Sequence, residues 1–304
     1  MASPREPIQR SIPLARPDIG AREIDLVTQA LQSDILAMGP FTQRFEAGIA
    51  AVAARREGVA CSSGTAGLHL GVRALDIGEG DEVITTPFSF VASANCLLYE
   101  RAIPRFVDIE EDSLGLDPEL IERVATARTK AVLPVHVFGR PCRIEAIVDV
   151  ARQRGWSTIE DACEGLGSTV GGRPLGNFGD VAVFAFYPNK QITTGEGGMV
   201  VTDDAALAET MRSLRNQVGM LTGPGFVTFA WATTTGSTRC RPPSGWRSSN
   251  GSRSSALDAL ASRRPTNPCS VTAIGCAFLE PETERRLTGS STSSGSTSRS
   301  IATG

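Results

Sequence analysis

Lys190 lies in the segment Phe184-Ala185-Phe186-Tyr187-Pro188-Asn189-Lys190-Gln191-Ile192-Thr193-Thr194-Gly195-Glu196-Gly197-Gly198, between an apolar run and a glycine-rich turn. It is one of two lysines in the chain, the other being Lys130, against 28 arginines. In a chain whose habitual base is arginine, a lysine points to chemistry that a guanidinium cannot perform. An amine can lose its proton and form a Schiff base with a carbonyl compound, and burial favours the neutral form that does so. A lysine in an arbitrary loop is a solvated charge. The neighbourhood of Lys190 sets it apart.

Three other groups could work with an amine. Asp161 follows the run Ser157–Ile159 within Glu160-Asp161-Ala162-Cys163-Glu164-Gly165-Leu166-Gly167, where a lone aspartate could equally cap the next turn. Ser62-Ser63-Gly64-Thr65-Ala66 is a small-residue turn between a short apolar run and a helical pattern. Backbone N–H groups at a helix start, with the Thr65 hydroxyl, suit a phosphate dianion, although a plain helix cap has the same composition. Phe90, in Pro87-Phe88-Ser89-Phe90-Val91-Ala92-Ser93, reads as a core aromatic when taken alone.

These residues need elements to position them. From residue 20 to about 216 the chain alternates helical and strand patterns. Ala21–Gln32, Phe41–Ala53, Gly67–Ala74, Pro118–Ala125, Ile144–Arg152 and Ala205–Arg215 carry helical apolar spacing. Gly58–Cys61, Val83–Thr86, Pro104–Val107, Ala131–Val135, Ser157–Ile159, Val181–Phe184 and Met199–Thr202 are short apolar runs bounded by turn residues. That rhythm predicts an α/β domain, a mostly parallel sheet sandwiched by helices, with ligands at the carboxyl ends of its strands.

The lysine segment closely resembles that of the DegT/DnrJ/EryC1/StrS aminotransferases, and the resemblance runs from about Ile12 to about Gln217. It implies the pyridoxal-phosphate fold-type-I large domain. The cofactor would be pyridoxal 5'-phosphate, and the substrates an amino donor such as glutamate and a nucleotide-linked keto-sugar. By this resemblance Lys190 holds the cofactor aldehyde and moves the proton during transamination. Asp161, 29 residues earlier, faces the pyridine nitrogen and keeps it protonated. Gly64, Thr65 and Ala66 hold the phosphate, Phe90 stacks on the ring, and Glu164 stands near the phenolic oxygen. Ala185 departs from the pattern, because some relatives place a phosphate-binding serine there. Lys190 itself argues against the dehydratase branch of the family, which carries histidine. Relatives form homodimers whose active sites lie at the subunit interface.

The bulk numbers fit that expectation. The 304 residues are 41% hydrophobic with a net charge of −3, which gives no electrostatic case for nucleic acid. Met1–Pro17 has no apolar signal-like run and no window suits a membrane span, so a soluble cytoplasmic protein is expected. Seven cysteines without a C-x-x-C pair and two histidines give no support for zinc or a disulfide framework. After Gln217 the character changes. Residues 221–304 hold 16 serines, nine arginines, four acidic residues and no lysine, a composition that cannot build a packed core. The expected organisation is an N-terminal arm over 1–19, the cofactor-binding large domain over 20–217, and an aberrant, disordered tail over 218–304 in place of a small C-terminal domain.

A shift of reading frame accounts for that tail. The family carries Gly-Tyr-Asn-Tyr-Arg-Leu soon after this point. In GC-rich codons read one nucleotide late, that string becomes Ala-Thr-Thr-Thr-Gly-Ser, which is Ala232–Ser237. Ser237–Arg247 back-reads as Leu-Asp-Glu-Met-Ser-Ala-Ala-Leu-Gly-Leu-Ala, and Arg247–Ser254 as Ala-Gln-Leu-Glu-Arg-Leu-Glu-Glu. The recovered string has the helical period that the visible one lacks.

Overall fold

The computed structural model describes residues 15–216, together with the backbone of Gly219–Leu221 and Phe226–Thr228. Most of the expected N-terminal arm and, those two strands apart, the expected tail 218–304 lie outside the described residues.

Seven strands form the central sheet: β1 (Glu57–Cys61), β2 (Glu82–Thr85), β3 (Ile103–Phe106), β4 (Thr129–Val132), β5 (Ser157–Asp161), β8 (Val181–Ala185) and β9 (Gly198–Thr202). Their order is β1-β9-β8-β5-β4-β2-β3. A small hairpin, β6 (Thr169–Val170) with β7 (Arg173–Pro174), falls between β5 and β8. The last two described strands, β10 (Gly219–Leu221) and β11 (Phe226–Thr228), pair antiparallel. In the main sheet the pairs β2–β3, β2–β4, β4–β5 and β5–β8 are parallel. β9 is antiparallel to both β8 and β1, so β1 runs in the same direction as β8. Six of the seven strands therefore end at the same edge of the sheet.

Period-2 alternation divides the core between two faces. Val83, Ala131, Ile159, Val181, Val183 and Val200 point to the face covered by α3 (Gly64–Ala74), α4 (Ala92–Leu98) and α7 (Ala205–Arg215), where they meet Leu68, Leu97 and Met211. Ile84 and Val132 face the other way, against Ile144 and Ile147 of α6 (Ile144–Arg154). Phe184, Met199 and Val201 share that second face with Phe45 and Ile49 of α2 (Pro40–Val52). The remaining helices are α1 (Ala21–Gln32) and the single turn α5 (Ile121–Val124).

Local chemistry sets most boundaries. Pro40 opens α2 at the position where a missing N–H costs nothing. The Asp204 carboxylate caps α7 through the Ala206 and Leu207 N–H groups. Gly155, at φ 69°, ends α6 in the left-handed region. Two details depart from the sequence expectation. The Pro118–Ala125 pattern divides into a 3-10 turn, Pro118–Leu120, and the one-turn α5. The run after Pro87 contains α4, which the apolar pattern did not separate from a strand or loop.

Candidate active site

Strand direction brings four connections to one place: Ser62–Thr65 after β1, Pro87–Phe90 after β2, Val135–Gly139 beyond β4, and Ala162–Glu164 after β5. The segment after β8 carries Lys190 to the same edge. They enclose a cavity of about 770 Å³. Gly64, Thr65, Phe90, Asp161, Glu164 and Lys190 all line it. Ala66 does not, and its N–H donates to the Ser63 hydroxyl at 3.1 Å.

The lysine is placed by a folded-back loop. Its own N–H donates to the Tyr187 carbonyl at 2.9 Å, closing a turn after Pro188. The Phe186 N–H donates to Gly197 O at 2.9 Å, and Thr194 N–H to Phe186 O at 3.0 Å, so the glycine turn lies against β8. A Cβ on Gly198 would sit 2.3 Å from Ser63 O, so only glycine lets the lysine loop pack on the turn at Ser63–Gly64. The Lys190 side chain is largely covered, and its Nζ lies 3.0 Å from Glu164 Oε1. Glu164 Oε2 accepts the Phe138 N–H at 2.8 Å. Phe138 itself is in the left-handed region at φ 56° and is 74% exposed. Glu164 thus ties the amine to the loop after β4.

Asp161, the last residue of β5, points to the face covered by α3 and α4. It is buried at the inner wall of the cavity. Its Oδ2 accepts the Ser93 hydroxyl at 2.6 Å and its Oδ1 the Cys163 N–H at 3.2 Å. Burial, with the neighbouring Asp161 charge, pushes the Cys163 thiol well above its ordinary value, so this cysteine is no nucleophile at neutral pH.

The helix start is the third wall. Ser63 caps α3 with its side chain, and the Ser63 carbonyl accepts the Gly67 N–H. Among the described residues, no protein acceptor takes the N–H groups of Gly64 and Thr65. A Cβ on Gly64 would lie 2.8 Å from the Ala185 Cβ and 2.9 Å from the Cys163 Sγ, so that backbone sits pressed between β5 and β8 connections. Phe90 is no core residue: it is 77% exposed at the cavity rim.

Three participants were given no role by the sequence reading. Ser63 could have been found as a capping serine ahead of the helical pattern. Ser93 and the exposed Phe138 carry no local signal of their role.

The DegT/DnrJ/EryC1/StrS aminotransferase family model matches residues 17–228. The chain belongs to that family. It is 44% identical over 203 residues to the spore coat polysaccharide biosynthesis protein SpsC of Bacillus subtilis, covering 67% of this chain and 52% of that protein. It is 42% identical over 207 residues to the GDP-perosamine synthase of Caulobacter vibrioides, covering 68% and 56%. The structure of Spr1654 from Streptococcus pneumoniae in its PLP form superposes with a TM-score of 0.68 at 28% identity, over 72% of this chain and 61% of that one. The described residues therefore have the α/β large-domain fold of these aminotransferases, PLP fold type I. The chain spans about half the length of the curated relatives it matches.

Proposed function

We propose that the chain binds pyridoxal 5'-phosphate and transfers an amino group from an amino acid, glutamate, to a nucleotide-linked keto-sugar. The observation that carries this reading is the amine of Lys190 and the carboxylate of Asp161 lining one cavity whose third wall is a helix start with free N–H groups. The donor set fits the cofactor. Gly64 and Thr65 N–H, at the positive end of α3, suit its phosphate, with the Thr65 hydroxyl beside them. Asp161 suits a protonated ring nitrogen, and Phe90 offers an aromatic face. When bound, the cofactor supplies a carbonyl carbon for an amine and a ring that withdraws electrons.

The chain's own residues do the rest. Lys190 Nζ would hold the cofactor and, as a free amine, would take up and return the proton at the reacting carbon. Glu164, 3.0 Å from Nζ, holds the amine in the cavity while that proton moves. The Asp161 carboxylate would face the ring nitrogen and favour its protonated form. The exposed aromatic rim of Phe90, Phe138 and Tyr187 supports a homodimer with the site at the interface. No helix among the described residues is long and apolar enough to cross a membrane, and a cytoplasmic location belongs to this proposal.

A second reading has its own support. Because the match covers only about half of the relatives' length, a catalytically impaired relative, at most a PLP-binding or regulatory module, is the alternative. One experiment separates the two. PLP is added to the purified chain, the visible spectrum is recorded with and without glutamate, and borohydride reduction is followed by peptide mapping. Label on Lys190 and loss of the absorbance with glutamate support the aminotransferase. Label without a glutamate response supports the impaired form. An unlabelled Lys190 refutes the aminotransferase and favours the impaired form.

A further inference from the structure

We infer that Ser93 is a positioning residue for Asp161, and that Ser89 orders Ser93 in turn. The inference rests on the cofactor reading above. Ser93 is the second residue of α4 and almost fully buried. Its hydroxyl crosses to a strand 68 residues away and meets Asp161 Oδ2 at 2.6 Å, the length of a charge-assisted O–H···O⁻ bond. A carboxylate only accepts, so the single hydroxyl proton of Ser93 is spent on Asp161. The contact at 2.6 Å between the Ser89 and Ser93 hydroxyls then has one polarity: Ser89 donates and Ser93 accepts. The other contact of Ser89, to the Phe90 carbonyl at 3.1 Å, competes for that same proton. The Ser93 backbone is held as well, its N–H on Phe90 O at 3.2 Å and its carbonyl accepting the Cys96 thiol at 3.3 Å.

The result is a carboxylate pinned at both oxygens. Cys163 N–H occupies one lone pair of Oδ1 and Ser93 one lone pair of Oδ2. A carboxylate offers about four acceptor sites, so one on each oxygen remains for a donor in the cavity. The terminal torsion of an aspartate is otherwise broad. Without Ser93, Oδ2 loses its one hydrogen-bond partner among the described residues and the carboxylate can rotate about the Cys163 contact. The segment carrying Ser89, Phe90 and Ser93 also joins two jobs. It places an aromatic at the cavity rim and orients the acid at the cavity wall.

The test uses the full 304-residue chain with PLP carrying ¹⁵N in the ring, and three readouts: the PLP dissociation constant, the ring ¹⁵N signal and the thermal midpoint. Ser93→Ala is expected to weaken PLP binding about tenfold, the low end of losing a hydrogen bond to a charged group. It should also move the ¹⁵N signal toward its position in Asp161→Asn. Ser93→Thr keeps the hydroxyl and should restore both readouts. Ser89→Ala should give a smaller change in the same direction. In the Asp161→Asn background Ser93→Ala should change affinity less than about twofold, since coupled residues are non-additive. Wild-type affinity and ¹⁵N signal in Ser93→Ala would overturn the inference. So would an undiminished tenfold loss in the Asp161→Asn background, because Ser93 would then act through the fold. If Ser93→Ala lowers the thermal midpoint too far for binding to be measured, Ser89→Ala decides by the same ¹⁵N criterion. A wild-type chain that binds no PLP would overturn the cofactor reading, and this inference with it.

Discussion

Glu160→Gln should destabilise the domain by about 3–6 kcal/mol at neutral pH without substituting any candidate cofactor-binding residue. Glu160 precedes Asp161 on β5, points to the opposite face and is fully buried. Its Oε1 accepts the Phe178 and Gly179 N–H groups at 2.7 and 2.6 Å. Its Oε2 accepts the Gly176 N–H at 3.0 Å and faces His136 Nε2 at 3.3 Å. The Cys142 N–H donates to His136 Nδ1, which puts the ring proton on Nε2 and directs it at Glu160. Four donors thus converge on one carboxylate, and the Arg55 guanidinium lies 3.9 Å away. A glutamine keeps one acceptor oxygen. In either orientation its amide NH₂ faces two donors, and two charge-assisted bonds at about 1.5–3 kcal/mol each are lost. Removing a buried charge relieves desolvation, but Arg55 then remains buried and less well paired, so the loss wins. Urea unfolding of both chains, followed by fluorescence, measures the difference. Its pH dependence has a definite sign. Burial raises the Glu160 pKa, but His136 and the Gly179 and Gly176 N–H groups outweigh it and hold the folded value below the ordinary 4.5. The stabilisation is therefore present above the unfolded value and is lost as pH falls through the folded one. The gap between the two chains should close below about pH 4. A loss under about 1 kcal/mol, or a gap unchanged at pH 3, would refute the four-donor account.

Lys190→Arg keeps a cation near Glu164 but removes the amine, so borohydride should leave no cofactor on the chain, as read by intact mass. Gly64→Ala should weaken PLP binding and cost about 1–3 kcal/mol through overpacking against Ala185 and Cys163. The double variant with Ala185→Gly should recover part of both losses, measured by urea midpoints and cofactor titration. The Cys96 thiol, pushed up to about 12 by burial and then by the Asp161 charge, should resist alkylation at pH 8 until the chain unfolds. Mass mapping after timed iodoacetamide treatment checks this.

How far the sequence discloses the molecule depends on which force sets each feature. Strands such as Val181–Ala185 and Gly198–Thr202 are continuous apolar runs because both faces of the sheet are covered, and such runs are visible in one dimension. α7 is legible because amphipathic spacing and an Asp204 cap coincide. α4 is not, because Ala92–Leu98 is short and its placement comes from packing on α3 and from the Ser93–Asp161 bond. The candidate site divides in the same way. Asp161 and the Ser62–Ala66 turn each sit at the end of a strand and Lys190 one turn beyond another, and strand ends can be read from the sequence. The exposure of Phe90 cannot, since an aromatic in an apolar run reads as core until strand direction places it at a rim. The Glu164–Lys190 pair and the four donors on Glu160 join residues far apart in the chain, and no local pattern encodes them.

The family match ends at residue 228, and Ala232 opens the string that reads as Gly-Tyr-Asn-Tyr-Arg-Leu one nucleotide away. The reading-frame proposal makes a prediction that protein chemistry alone does not. Selection for a soluble Ser/Thr tail acts on one frame only and gives its neighbour no reason to encode apolar residues at helical spacing. A frameshift requires that spacing, because the displaced codons once specified packed helices. Sequencing the gene across codons 215–304 should show a neighbouring frame that stays open well past codon 304 and carries the helical period. A stop within the first twenty or so codons of that frame, or no apolar period in it, would sink the proposal. Restoring the frame should then tighten PLP binding and produce a dimer by sedimentation, as expected if the restored segment closes the site around Lys190.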